Sequence, residues 1–221
     1  MDDLFDPLRL PRSILKESRV LLGEFGFSGQ YGQNPVPLGG GMFKVERIRI
    51  DDAPADNNIK RRVRFWDKAG TAGGGAYTVG TLLGVDSDNR YWVLDVVRGQ
   101  WDSSEREKVI QQTAEADGKT TIIGLEQEPG AGGKESAEAT VRRLAGFRVR
   151  IDRPTGDKAL RADPFSSQVN SNNVFLKRAD WNSDYLEELR FFPASTYKDQ
   201  VDASSGAFNL LCAKKKRVGA L

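Results

Sequence analysis

From Arg61 onward the chain changes its hydrophobic period in a set order, and that order limits the architecture more than any other feature. Residues 63–67 (Val-Arg-Phe-Trp-Asp), 76–85 and 91–97 read as strands, each rich in β-branched or aromatic residues. The short polar connection 86–90 folds the last two into an antiparallel hairpin. Helix and strand patterns then alternate. Residues 103–115 read as a helix with Val109, Ile110 and Thr113 on one side, and 120–125 as an apolar strand. Residues 134–144 are helical, 147–151 a strand, 157–169 a helix interrupted by Pro164, and 173–176 a short strand. Helices over 181–191 and 198–213 complete the chain. Three strands in a meander followed by alternating elements make a mixed α/β layer architecture, an order that several α/β folds share in part.

The chain before this pattern is of another kind. Residues 23–42 are rich in Gly, Pro, Gln and Asn, which favours turns with aromatic anchors, and a short helix is expected over 12–22. Residues 51–58 are polar, contain Pro54 and read as a linker. The expected organisation is an extension over 1–58, a domain over 59–213 and a basic tail over 214–221 carrying Lys214, Lys215, Lys216 and Arg217. No stretch approaches the ~18 apolar residues of a membrane span, and the acidic start Met1-Asp2-Asp3 lacks a secretory signal, so a cytosolic setting is expected.

Composition decides which chemistry is open. There is no histidine and one cysteine, Cys212. That removes Ser-His-Asp and Cys-His systems, His-ligated metals, disulfides within the chain and Cys-rich zinc sites. Carboxylates remain, and they suit hard cations such as Mg²⁺ or Mn²⁺. Asp67 ends the first strand before a glycine-rich turn, where α/β sheets place ligands; an ordinary turn residue would read the same way. Glu126 ends the strand 120–125, with Glu128 two residues on as a supporting acid or a solvated one. Asp199 and Asp202 open the last helix at i, i+3, a spacing that shares one face and also suits the helix dipole. The small residues that follow, Ala203, Ser204, Ser205, Gly206 and Ala207, allow this helix to pack close to a sheet and carry its acids to the strand ends. Two strand-end acids plus a helix-borne acid are what a two-metal phosphodiester site needs.

A rival lies at Gly130-Ala131-Gly132-Gly133-Lys134-Glu135, between a strand and a helix. Anchored on Gly133-Lys134, a phosphate-binding P-loop would need glycine where Glu128 stands and a hydroxyl where Glu135 stands, so the pattern fails. A backbone approach to DNA phosphate beside Lys134 and a plain strand-to-helix turn both remain open. Arg142, Arg143, Arg148, Arg150, Arg153, Lys158 and Arg161 cluster after the second acid as candidates to line a nucleic-acid track; alternation of faces lets only a subset meet one ligand, and Arg142, Arg143, Lys158 and Arg161 are the DNA-binding candidates taken forward. The clusters Lys60-Arg61-Arg62-Val63-Arg64 and 214–217 would bind nucleic acid or simply be solvated. Trp66, Trp92, Trp101 and Trp181 are assigned to packing.

With the acids placed, the order of elements is similar to the ribonuclease H-like fold, which implies a mixed sheet with its first three strands antiparallel and its later ones parallel, and the motifs resemble the nuclease region of tailed-bacteriophage terminase large subunits. Arg64-Phe65-Trp66-Asp67-Lys68-Ala69-Gly70-Thr71 resembles the first nuclease motif, and 91–101 the strand after it. Gly124-Leu125-Glu126-Gln127-Glu128-Pro129-Gly130 resembles the second acidic motif and Lys198-Asp199-Gln200-Val201-Asp202-Ala203 the third. Upstream, 27–35 resembles the segment leaving the packaging ATPase, whose Walker motifs are not in this sequence, so ATP hydrolysis is not expected of it. The resemblance implies an endonuclease that cuts concatemeric duplex DNA during packaging in the host cytoplasm. It implies two Mg²⁺ or Mn²⁺ ions held by Asp67, Glu126 and Asp202 with Asp199 in support. It also implies the portal and small terminase subunit as partners of an otherwise monomeric domain. A non-catalytic docking module and a Holliday-junction resolvase are the alternatives.

Overall fold

A computed structural model of the chain describes residues 9–18, 31, 41–70 and 74–213. The chain divides into two compact units, Met1–Gly41 and Met42–Leu221. In the first, residues 12–18 are helical (α1), in agreement with the first part of the expected helix. The glycine- and proline-rich segment up to residue 40, the motif at 27–35 and the basic tail lie outside the described residues, apart from Tyr31.

The second unit is built on one seven-stranded sheet of order β1-β7-β4-β3-β2-β5-β6. Its strands are β1 (Arg49–Asp51), β2 (Ile59–Asp67), β3 (Thr78–Asp86), β4 (Tyr91–Gly99), β5 (Ile122–Glu126), β6 (Arg148–Asp152) and β7 (Val174–Lys177). β2, β3 and β4 form the expected antiparallel meander. β5 joins β2 in parallel, β6 joins β5, and β7 joins β4. The helices are α2 (Ser103–Asp117), α3 (Ala131–Arg143), α4 (Lys158–Asn170), α5 (Asn182–Phe191) and α6 (Asp199–Cys212).

Alternation along β2 sets the two faces. Val63 and Phe65 enter a core completed by Phe165 and Val169 of α4, Tyr185 and Leu189 of α5, and Val201, Ala207 and Phe208 of α6. Trp66 enters the opposite core with Ile110 and Ala114 of α2, Ile123 and Leu125 of β5, and Leu144. Both faces of the central strand are thus covered, which is why it reads as a nearly unbroken run of large residues. The hairpin closes as expected: Asp86 Oδ1 accepts from the Asp88 and Arg90 amides, and Asn89 takes the left-handed conformation at φ 60°.

Three expectations change. Part of the extension expected over 1–58 belongs to the second unit, which starts at Met42: Phe43 and Val45 are core residues, and β1 adds to the sheet edge beside β7. α3 begins at Ala131, so Gly132 and Gly133 form its first turn and not a loop. A Cβ at Gly133 would stand 2.1 Å from the Glu128 carbonyl oxygen, so only glycine lets this turn close on the strand exit. Pro164 sits inside α4 without breaking it.

A carboxylate site at the strand ends

Asp67 and Glu126 end the parallel neighbours β2 and β5, so they emerge on the same edge of the sheet. α6 brings the other two acids there because it lies very close to the sheet. A Cβ at Gly206 would stand 2.4 Å from the Phe65 ring, and one at Gly124 would stand 2.3 Å from the same ring. Phe65 is therefore clasped between helix and sheet, and the small-residue run of α6 has the close packing its composition implies. Asp199 and Asp202 in the first turn are both buried.

The start of α6 is held by a residue that local sequence does not mark. Lys198 offers no side-chain cap. Glu188 of α5, itself buried, accepts from the Gln200 amide at 2.6 Å, the Val201 amide at 3.2 Å and the Gln200 side chain at 2.8 Å. Burial pushes its carboxyl above the usual range, and the Gln200 and Val201 donors pull it back. Glu188→Ala would strand two helix N–H groups in the core. It should cost about 3 kcal/mol, measured by urea unfolding, where Glu188→Gln costs less. A loss below about 1 kcal/mol would show that water replaces this cap.

The acids are electrostatically one group. Burial holds the Asp67 carboxyl well above the usual range, with Glu126, Asp202 and Asp199 adding repulsion in that order; Lys158 works against them. Burial also raises Glu126, against the Arg161 charge. Burial raises Asp199 too, although its Oδ2 accepts from the Tyr77 amide at 2.8 Å. Asp67 makes no side-chain hydrogen bond or ion pair with a described residue.

The cations that face this group come from the start of α4. Lys158 Nζ donates to Asp202 Oδ2, and Arg161 bridges Glu126 at 3.5 Å and Asp202 at 3.6 Å. Burial opposes the Lys158 charge, but the bond to Asp202 and the charges of Asp202, Asp67 and Glu126 hold its ammonium above the usual range. Among the described residues, no three His, Cys, Asp or Glu side chains close on one ion as they stand. Two of the carboxylates, Glu126 and Asp202, are instead engaged by these two side chains. In chemistry the set fits a hard divalent cation: oxygen donors only, mutual repulsion, and one carboxylate without a partner among the described residues.

The remaining candidates separate. Glu128 is exposed and lines a cleft with Asp67, Lys68, Arg106 and Glu126. Lys134 is exposed and pairs with Glu138 at 3.8 Å. Arg142 and Arg143 end α3, about 16 Å along the helix from its start, and do not join the acids. On the cleft side, Lys68 is nearly buried and donates to Ser136 at 2.9 Å and Thr140 at 3.2 Å. Burial lowers its ammonium, while Glu107 raises it. Arg106 donates to the Ala69 carbonyl at 2.7 Å. The contacts of Lys68 and of the Ala69 carbonyl fix the two residues that follow Asp67, and neither has a local sequence marker.

The chain is similar to solved terminase nuclease domains. One is the human cytomegalovirus terminase nuclease domain, Mn-soaked and inhibitor-bound, with 15% identity, 77% of this chain and 95% of that chain covered, and a TM-score of 0.58. Another is the large terminase nuclease of thermophilic phage G20c with bound magnesium, with 11% identity, 78% and 98% covered, and a TM-score of 0.55. A third is the Thermus phage P74-26 large terminase nuclease domain, with 11% identity, 79% and 97% covered, and a TM-score of 0.55. At such identities the likeness is one of fold. No curated protein matches at the same stringency. Residues 64–211, which run from β2 to the end of α6, match the family model described as the terminase RNaseH-like domain. The chain belongs to that family.

Proposed function

We propose that this chain is a metal-dependent endodeoxyribonuclease module of a terminase large subunit, hydrolysing phosphodiester bonds of concatemeric duplex DNA with two Mg²⁺ or Mn²⁺ ions. The observation that carries the proposal is the meeting of Asp67, Glu126, Asp199 and Asp202 at one sheet end, with Asp67 unpartnered among the described residues and its charge resisted by the other three. Asp67, Glu126 and Asp202 would hold the ions, with Asp199 in support. Bound there, divalent ions would supply an activated water and neutralise charge at the leaving oxygen. The chain's own part is to fix the acids on β2, β5 and α6 and to supply Lys158 and Arg161 as counter-charges while metal is absent. With no imidazole in the chain, the protein group best placed to take a proton is one of the site's carboxylates. Duplex DNA is the substrate, the portal and small subunit are the motor partners, and cutting takes place in the host cytoplasm.

The test is plasmid nicking. The chain should convert supercoiled to open-circle DNA with Mn²⁺ or Mg²⁺ and stop when EDTA is added; absence of nicking with either ion overturns the reading. The counter-charge role has its own readout. Lys158 is half exposed, so its bond to Asp202 is worth little net energy. Lys158→Met should tighten Mn²⁺ binding by about 2- to 5-fold in calorimetry. Equal or weaker binding would mean that Lys158 does not compete with the ion.

A further inference from the structure

A second cationic feature lies on the same face of the sheet as the acids but at its other end. A groove there is lined by Lys60, Arg61, Arg62, Arg148 and Arg150, against the last turn of α6, and among the described residues no acidic side chain lines it. Two of the five are committed within the fold. Lys60 donates to the Ser87 carbonyl and to Asn89, and Arg62 pairs with Asp56. Arg61, Arg148 and Arg150 make no hydrogen bond or ion pair with a described residue.

The direction of these arginines follows from register. β6 pairs with β5 as Arg148 with Ile122, Arg150 with Gly124, and Asp152 with Glu126. A Cβ at Gly124 would meet Phe65 and Leu210 of α6, so this set of positions points to the α6 side. Glu126, two residues on, continues on that side. Arg61 precedes Val63 by two in β2 and shares its face. β6 itself is the sheet edge, and Arg148, Arg150, Ile151 and Asp152 are all exposed. From the Ile122 level to Glu126 the strand advances about 13 Å, the rise of about four base pairs. Charge on an edge strand can serve only to block edge pairing. That would account for β6 but not for a groove of one sign formed jointly with β2.

We propose that this groove is a second contact for the sugar-phosphate backbone of the duplex, with Arg148, Arg150 and Arg61 gripping it about four base pairs from the acids. The duplex would then run along the β6 edge toward Lys158 and Arg161. This rests on the nuclease reading, because the partner is chosen by the continuity of the face with the acids.

Fluorescence anisotropy with a 20-base-pair duplex in Ca²⁺ buffer tests the proposal. Arg148→Ala/Arg150→Ala should raise Kd by roughly 10-fold and lower the slope of log K against log salt by about 1.8, the loss of two phosphate contacts. Thermal melting of the variant checks that it folds. Arg178→Glu, exposed and at the β7 side of the sheet, should bind as the parent does. A double variant with the parent's Kd and salt slope overturns the groove while leaving the nuclease reading intact. A parent that neither nicks nor binds duplex overturns both. If the double variant loses binding of a poly-glutamate peptide but not of duplex, the groove serves an acidic protein partner and the proposal fails.

Discussion

Asp67→Asn is expected to abolish metal-dependent nicking while raising the melting temperature of the metal-free protein. The two effects share one cause. Burial and the charges of Glu126, Asp202 and Asp199 make the ionised Asp67 costly in the folded state. A bound cation would reverse that cost, and the amide cannot hold the ion. Losing ~4 kcal/mol of transition-state stabilisation corresponds to a fall of about 10³-fold in nicking rate. In stability the sign runs the other way. The folded-state pKa of Asp67 lies above its ordinary value, so the favourable contribution is complete below the ordinary carboxyl range and is lost as pH rises through the raised pKa. The parent's metal-free stability should therefore decline with rising pH across that window, and the variant's should decline less. Differential scanning fluorimetry with and without Mn²⁺ reads both. The parent should gain stability on adding the ion and Asp67→Asn should not. A variant that nicks as fast as the parent removes Asp67 from the site.

Much of this arrangement is legible in sequence because it is local. Val63 to Asp67 shows the two-faced pattern of a central strand, and its terminal acid stands where such strands deliver ligands. The small-residue run after Asp202 implies close packing, and the Phe65 ring lies so near Gly206 that a Cβ there would stand 2.4 Å from it. What escaped depends on chain segments far apart. β1 is three exposed residues with no pattern of their own, and it exists because β7 offers an open edge. Gly132 and Gly133 have poor helix propensity, and their place in α3 is set by the strand exit at Glu128. Lys158 and Arg161 read as DNA-binding residues, but α4 packs beside α6 and turns them onto Asp202 and Glu126. Glu188 carries no motif, since its role is decided by where α5 meets α6.

Arg64 is the sharpest case, and its replacement should give the largest stability loss in the molecule. In sequence it closes the cluster beginning at Lys60 and reads as a surface cation. In the structure it is 1% exposed, because β2 enters the core between Arg62 and Val63. Its guanidinium donates to both Asp117 oxygens at 2.7 and 2.8 Å, to Asp95 at 2.8 Å and to the Gly80 carbonyl at 2.9 Å. These bonds tie β2 to β3, β4 and the end of α2 just before the chain reaches Asp67. Asp117 is almost fully buried, whereas Asp95 is 40% exposed and can turn to water. Arg64→Met would therefore strand mainly Asp117, at a cost of about 3–5 kcal/mol. At about 2–4 °C per kcal/mol for a unit of this size, the melting temperature should fall by roughly 10 °C. The cause can be separated from the size of the effect. If the loss is the stranded carboxylate, Arg64→Met/Asp117→Leu should recover most of it, because an apolar pair can replace a buried ion pair at little cost. If the double variant is no more stable than Arg64→Met, the guanidinium's bonds to the Gly80 carbonyl and Asp95 carry the energy. β2 would then be anchored through β3 and β4, the two strands that hold the other side of Asp67's exit.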